Sequence, residues 1–222
     1  VFFGVAISLL AYELGSWMKR KWKLAIFNPL LISIAAVMLI LVFFRIDYDS
    51  YYEGAQYLSY LLTPATVCLA IPLYEQLEQL KHNAKAIAAG ILSGVLTSLA
   101  SVLALSLLFD LTHEQYVTLL PKSITTAIGM GVSEELGGIT TITVAVIIVT
   151  GILGNMLATL ICRLFKIQEP AAVGIALGSS SHAIGTTKAM ELGEIQGAMS
   201  SLSIAVSGIL TVGAASIFAM FL

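Results

Sequence analysis

Long uncharged stretches recur along this chain and are separated by short charged segments. Each approaches or exceeds the roughly 20 residues that a helix needs to cross a hydrocarbon core about 30 Å thick. Because no water is available there, the backbone must bond within helices or closed barrels, and barrel strands are only about 10 residues long with alternating polarity. The pattern therefore predicts membrane-spanning helices. The stretches cover residues 1–18 (which include Glu13), 24–44, 54–74, 86–109, 136–162, 170–187 and 195–222.

Composition supports the same class. Hydrophobic residues make up 58% of the 222 residues and charged residues only 11%. A soluble domain carries about 25% charged residues, so this chain has too few to cover a surface that faces water. The net charge of -2 gives no reason to expect nucleic acid as a partner. We therefore expect an all-α polytopic membrane protein with about 7–8 transmembrane segments, embedded in the lipid bilayer.

The distribution of basic residues predicts which loops face the cytoplasm, because positive charge in short loops favours that side. Three loops qualify, and the N-terminus is then outside. Residues 115–135 lie between two external ends, so this segment, with its Pro121 and two glycines, is predicted to be a re-entrant hairpin or a strongly broken helix. The basic residues of the three loops are Lys19, Arg20, Lys21 and Lys23, then Lys81 and Lys85, then Arg163 and Lys166.

Two predicted spans carry helix-breaking residues near their centres. One is broken at Thr63-Pro64-Ala65-Thr66, and the other between Gly178 and Gly185. Pro64 and Ser181 are 117 residues apart, and under the predicted topology their spans run in opposite directions. This layout is typical of inverted-topology repeats whose discontinuous helices meet near the membrane midplane. We expect repeats at residues 1–111 and 112–222, within a single integral membrane domain.

Lys122 lies inside the predicted hairpin, after Leu-Leu-Pro and before a run of hydroxyl residues. A lysine within a membrane segment is costly unless something pairs with it. One interpretation is a cationic anchor for an anionic substrate, with Ser123, Thr125 and Thr126 as further donors. The alternative is a lysine that extends to the lipid headgroups from the end of the hairpin.

His182 follows Ser181 in the second predicted break. An unwound segment that leads into a new half-helix exposes backbone N–H groups and the positive end of the helix dipole, which favours anions. Histidine can donate a proton or titrate near neutral pH; the alternative is a histidine satisfied within a helix interface. Thr63 and Thr66 would face it from the opposing break. His182 and Glu135 are the candidates for proton coupling.

Eight short segments along the chain form a recognisable set: 28–31, 63–66, 71–73, 120–126, 137–139, 150–152, 181–186 and 193–198. Together they resemble the LrgB/CidB antiholin-like family. One familiar variant has proline where this chain has Ala127, and alanine where it has Thr187. The resemblance implies a multi-pass protein of the bacterial cytoplasmic membrane, encoded with a small holin-like partner of the LrgA/CidA type and linked to murein hydrolase control and autolysis.

Three functions remain open at this point. The resemblance extends to plastidal glycolate/glycerate translocators and to bacterial pyruvate handling, so the first hypothesis is a carrier of small monocarboxylates, with proton coupling as its associated mechanism. The second is a regulator that acts through the holin-like partner without moving solute, and the third, a passive pore, would require more polar residues than this chain has. Enzyme motifs and cofactor or metal sites are not predicted. A homodimer is a further hypothesis, since carriers of this size often need a scaffold.

Overall fold

The computed structural model describes residues 2–22, 27–68, 70–75, 78, 81 and 83–222, so Lys23 lies outside the described part. Within these residues the chain is helical and forms no strand, which confirms the predicted all-α class. The helices are α1 (Phe3–Trp22), α2 (Pro29–Phe43), α3 (Tyr48–Ser59), α4 (Leu62–Cys68), α5 (Ala70–Glu75), α6 (Ala84–Leu108), α7 (His113–Leu119), α8 (Thr126–Glu135), α9 (Thr140–Leu164), α10 (Pro170–Leu192) and α11 (Glu194–Phe218), followed by a 3-10 turn at Ala219–Phe221.

In the part of the chain that the structure describes, three helices are long and apolar enough to cross a membrane: α6, α9, and α11 with its 3-10 extension. Each contains at least 25 residues, and a 25-residue helix is about 37 Å long. The shorter α2 is also strongly apolar. The chain is therefore a multi-pass membrane protein.

The first compact unit comprises Val1–Cys68, in which α1 packs against α2 and α3. The side-chain oxygen of Asn28 caps α2 by accepting from the backbone N–H groups of Leu30 and Leu31, at 2.9 and 3.4 Å. Asn28 and Pro29 thus give α2 a defined start, because the cap satisfies N–H groups that lack an intrahelical partner.

The break predicted at Thr63–Thr66 lies slightly earlier in the structure. Tyr60 and Leu61 form a turn between α3 and α4, and Pro64 is the third residue of the new helix. In the first turn of a helix the N–H that proline lacks has no intrahelical partner in any case. The proline therefore lies within the start of α4, while the interruption precedes it.

The second compact unit comprises Leu69–Leu222. A stripe of α6 residues spaced three or four apart is buried at its centre, because such residues share one face of a helix. This face packs against α10 and α11. The buried stripe consists of Ile87, Ile91, Val95, Leu99 and Val102.

Residues 113–135, called here the first hairpin, fold back on themselves. The Thr143 hydroxyl of α9 lies 2.9 Å from the carbonyl oxygen of Thr118 in α7 and 2.7 Å from the hydroxyl of Ser133 in α8. A Cβ at Gly129 would lie 3.5 Å from the carbonyl oxygen of Pro121. Helix α8 therefore returns past α7, and residues 120–125 form the tip. Whether this hairpin enters the bilayer stays a prediction.

Residues 170–192, called here the second hairpin, also reverse direction, although 170–187 was predicted as a through-going span. Val173 and Ala189 share one buried cluster. A Cβ at Gly185 would lie 2.7 Å from the carbonyl oxygen of Leu177, so the two halves of α10 run side by side. The chain turns where its helical geometry is interrupted, and it then leaves near the point where it entered.

Candidate functional site

The reversal in α10 occurs at two residues whose backbone is not helical. Ser181 has φ -135° and ψ 16°, and His182 has φ 41° and ψ -142°. These values confirm the interruption predicted between Gly178 and Gly185. A positive φ is unfavourable for a residue with a side chain, so neighbouring groups must stabilise this conformation.

The middle of α9 supports the turn. The His182 side chain is 3% exposed, and its Nε2 donates to the carbonyl oxygen of Ile147, 2.9 Å away. A Cβ at Gly151 would lie only 2.7 Å from the same ring nitrogen, so the glycine allows the imidazole to approach the helix. His182 therefore holds the turn against α9.

Further hydrogen bonds fix the returning half of α10. The Thr186 hydroxyl lies 3.1 Å from the carbonyl oxygen of His182 and 2.7 Å from the hydroxyl of Ser200 in α11. Asn155 of α9 donates its side-chain N–H to the carbonyl oxygen of Ile184 at 2.8 Å. These side chains attach the start of the returning half to α9 and α11.

A cavity of about 800 Å³ lies between α6, the first half of α10 and the tip of the first hairpin. Its wall is mixed: alanine and isoleucine side chains alternate with hydroxyl groups. Lys122 contributes the positive charge at one end, while Asn83 and Glu169 lie at the other, near the starts of α6 and α10. The hydroxyl residues in the wall are Ser93, Thr97, Ser98, Ser101, Ser123, Ser179 and Ser180.

Lys122 is held by a short chain of hydrogen bonds. Its Nζ donates to the hydroxyl of Ser123 at 3.1 Å, and this hydroxyl lies 3.0 Å from that of Ser98 in α6. Ser123 is 5% exposed. Among the residues that the structure describes, no carboxylate forms an ion pair with Lys122. The cavity therefore contains a cation without an acidic partner.

Comparison with known proteins defines the family. The chain matches the LrgB-like family over residues 8–221. The chain belongs to this family. It is 34% identical over 207 residues to the holin-like protein CidB of Staphylococcus aureus, covering 93% of this chain and 90% of that protein. It is also 34% identical over 212 residues to the antiholin-like protein LrgB of Bacillus subtilis, covering 95% and 92%. No solved structure matches this chain.

Some of the residues that the sequence singled out in this LrgB-like protein meet in the cavity, and others do not. Lys122 and Ser123 line it. Ser181 lies beside it, with its hydroxyl 3.1 Å from that of Ser180. His182 faces Ile147 instead.

Five other candidates lie outside the cavity wall or have side chains outside the described part. Thr125 and Thr126 stand at the start of α8 and are not among the residues around the cavity. Glu135 is exposed at the end of α8. The side chains of Thr63 and Thr66 lie outside the described part, so their predicted role stays a prediction.

Sequence reasoning missed the α6 wall of this LrgB-like cavity. Ser98 of this wall lines the cavity close to Lys122. Ser179 and Ser180 of α10 line the cavity as well and were not predicted as site residues. The sequence does carry a signal for this wall: the small and hydroxyl residues of α6 are spaced alternately three and one apart, which keeps them on one helical face. These residues are Gly90, Ser93, Gly94, Thr97, Ser98 and Ser101.

Proposed function

We propose that this LrgB-like protein is a carrier that moves small monocarboxylates of the glycolate, glycerate or pyruvate type by alternating access. One observation carries the proposal: Lys122 stands at the end of a hydroxyl-lined cavity with no acidic partner among the described residues. A charged lysine in a membrane protein requires a counter-ion. A carboxylate that enters the cavity supplies one.

The charge and chemistry of the wall favour a monoanion. A substrate carboxylate would accept from the Lys122 ammonium and from the hydroxyls of Ser123 and Ser98, which already form one hydrogen-bonded chain. A hydrogen bond to a charged group contributes about 1.5–3 kcal/mol. The cavity is larger than a two- or three-carbon acid, so water fills the remainder. Ser179 and Ser180 provide further hydroxyls for a substrate hydroxyl or keto group.

The depth of Lys122 supports this role. Its partner Ser123 lies beside Ser98, which is about 21 Å from the start of α6 and therefore near the middle of a helix about 37 Å long. We infer that the first hairpin is re-entrant and brings the cation to the membrane midplane. The second hairpin reverses beside Gly151 and Gly154, near the middle of α9, and we infer that it enters from the opposite face.

We retain the larger topology as part of the proposal. Repeats at residues 1–111 and 112–222 would relate the interruption before Pro64 to the one at Ser181–His182, and both hairpins would lie within the second repeat. With about 7–8 membrane segments, we propose that the protein lies in the bacterial cytoplasmic membrane. Proton coupling through His182 or Glu135 is the associated mechanism, and Glu135→Gln should then abolish the response of flux to a pH gradient.

Flux into proteoliposomes tests the proposal. Vesicles that contain the protein should take up glycolate or pyruvate faster than protein-free vesicles. Lys122→Met keeps the length of the side chain but removes its charge, and it should weaken substrate binding about 10- to 100-fold, which corresponds to the charged hydrogen bond. Lys122→Arg and the remote Lys21→Met are the matched controls. Equal flux with and without the protein, or full flux in Lys122→Met, would overturn the proposal.

The names of the relatives favour a second candidate. They are called holin-like and antiholin-like, so we also consider a regulator of autolysis that binds a small LrgA/CidA-like membrane protein, or a second copy of itself, without moving solute. In α11, Gly213 is exposed and an added Cβ there would meet no atom within 4 Å, which leaves room for a neighbouring helix. A thermal-shift screen with glycolate, glycerate, pyruvate and lactate separates the candidates, because only a carrier gains stability from them.

A further inference from the structure

The cavity extends along α6 rather than surrounding Lys122 alone. Asn83, just before α6, and Ser98, near its middle, both border it, and they are separated by about 22 Å along the helix axis. Glu169 lies at the same end as Asn83, and both residues are exposed. The cavity is thus an elongated groove. It reaches the starts of α6 and α10, called here its mouth, and it is also open along its side, where Ser93, Thr97 and Ser180 are exposed.

The mouth lies at the end of the second unit where its lysines and arginines other than Lys122 are found, together with Glu78, Glu169, Glu191 and Glu194. Helix α6 begins there, α9 ends there, and both ends of the second hairpin return there. The opposite ends of α6 and α9 carry only acidic charges among the described residues 109–119 and 134–140, namely Asp110, Glu114, Glu134 and Glu135. By the bias of basic residues, the mouth faces the cytoplasm. The basic residues at the mouth's end are Lys81, Lys85, Arg163, Lys166 and Lys188.

The first hairpin closes the groove at the acidic end. Tyr116 and Val117 are 0% exposed, and Leu120 and Ile124, on either side of Lys122, are almost as deeply buried. The Tyr116 hydroxyl also donates to the carbonyl oxygen of Phe218 at the end of α11, 2.8 Å away. An apolar plug therefore separates Lys122 from the acidic face.

We propose that this groove is a cytoplasmic half-channel: in this conformation Lys122 is reached from the cytoplasm, and Ser93 and Thr97 line the path. Their positions, four residues apart, place successive hydroxyls about 6 Å apart along the helix, which keeps the path hydrated. This inference rests on the proposed function for the identity of the solute, but the route itself follows from the groove and the plug.

Cysteine accessibility tests the route. In a background with Cys68 and Cys162 replaced by alanine, Ser93→Cys and Thr97→Cys are exposed to a membrane-impermeant, charged methanethiosulfonate. Both should be modified in inside-out vesicles and remain unmodified in right-side-out vesicles, because only a hydrated thiol ionises and reacts. Leu92→Cys and Leu96→Cys are matched controls on the same helix; their side chains are exposed but lie outside the groove, and they should not react from either side.

Two exposed positions report the orientation of the protein. Lys81→Cys should react from the inside only and Glu114→Cys from the outside only. Modification of Ser93→Cys or Thr97→Cys from the outside, or no more modification than at Leu92→Cys, would overturn the half-channel.

Glycolate separates this inference from the proposed function. If glycolate slows modification of Thr97→Cys from the inside, both stand. If the labelling pattern holds while glycolate gives neither protection nor flux, the half-channel stands and the carrier falls. If glycolate flux is present but the cysteines react from the outside, the carrier stands and the half-channel falls.

Discussion

The imidazole Nε2 of His182 donates to the carbonyl oxygen of Ile147 across 2.9 Å, and this bond joins the turn of one hairpin to the middle of a membrane-spanning helix. The imidazole N–H at Nε2 therefore bonds to the backbone of α9 and does not face the cavity. In this position His182 stabilises the reversal that brings Ser179 and Ser180 to the cavity wall.

His182 should stabilise the protein through its ring, whereas its backbone conformation should cost stability. His182→Ala removes the bond to Ile147 and leaves a methyl side chain at φ 41°, so we expect a loss of about 1–3 kcal/mol in the free energy of unfolding. His182→Gly removes the same bond but relieves the backbone, and should recover about 1 kcal/mol of that loss. Unfolding in detergent micelles measures both, with the exposed His113→Ala as control. Equal losses for the alanine and glycine variants would contradict the backbone argument.

Gly151 should not tolerate a methyl group. In Gly151→Ala the new Cβ would lie 2.7 Å from the His182 ring, so the ring must shift and its bond to Ile147 must lengthen. We expect a destabilisation of about 1–3 kcal/mol, as for other overpacked interiors. Gly131→Ala is the matched control, because a Cβ there would meet no atom within 4 Å. Similar melting temperatures for the two variants would show that the contact with His182 is not tight.

Thr143 should hold the first hairpin together. Thr143→Val keeps the shape of the side chain but removes the hydroxyl shared with Thr118 and Ser133. Because this hydroxyl is fully buried, its loss should cost about 1–3 kcal/mol. The exposed Thr141→Val, two residues earlier, should change the unfolding free energy little. A neutral effect of Thr143→Val would mean that apolar contacts alone close the hairpin.

Ser98 should act on substrate binding through Ser123. Ser98→Ala removes the hydroxyl that ends the row of hydrogen bonds from Lys122 through Ser123 to α6. A neutral hydrogen bond contributes about 1 kcal/mol. Glycolate binding, measured by calorimetry, should weaken about fivefold. Ser216→Ala, on an exposed part of α11, is the control. Unchanged affinity in Ser98→Ala would remove Ser98 from the site.

The sequence allowed the membrane class, the helical content and the break at Ser181–His182 to be predicted, because each depends on local composition. Length and hydropathy mark α6, α9 and α11 directly. Glycine and serine density marks the break. The direction of the chain after the break was not predictable in this way, because it depends on contacts such as that of Gly185 with Leu177.

The site could be predicted only where it depends on local sequence. Lys122 is conspicuous as a single cation in an apolar segment, and Ser123 follows it. Ser98 lies on a different helix, and only tertiary packing brings its hydroxyl within 3.0 Å of Ser123. His182 was conspicuous too, but the sequence does not reveal that its ring faces Ile147.

The reversal of α10 also decides on which face of the membrane the polypeptide emerges. A hairpin adds no crossing, so α11 starts at the end with Arg163 and Lys166 and finishes beside Tyr116, where Phe218 accepts its hydroxyl. We propose that the basic end lies in the cytoplasm, and Leu222 then emerges on the external side. Alkaline phosphatase fused after Leu222 would then be enzymatically active, whereas green fluorescent protein exported unfolded to the same place would not fluoresce. If α10 crossed the membrane completely, the phosphatase fusion would be inactive and the fluorescent protein fusion would fluoresce.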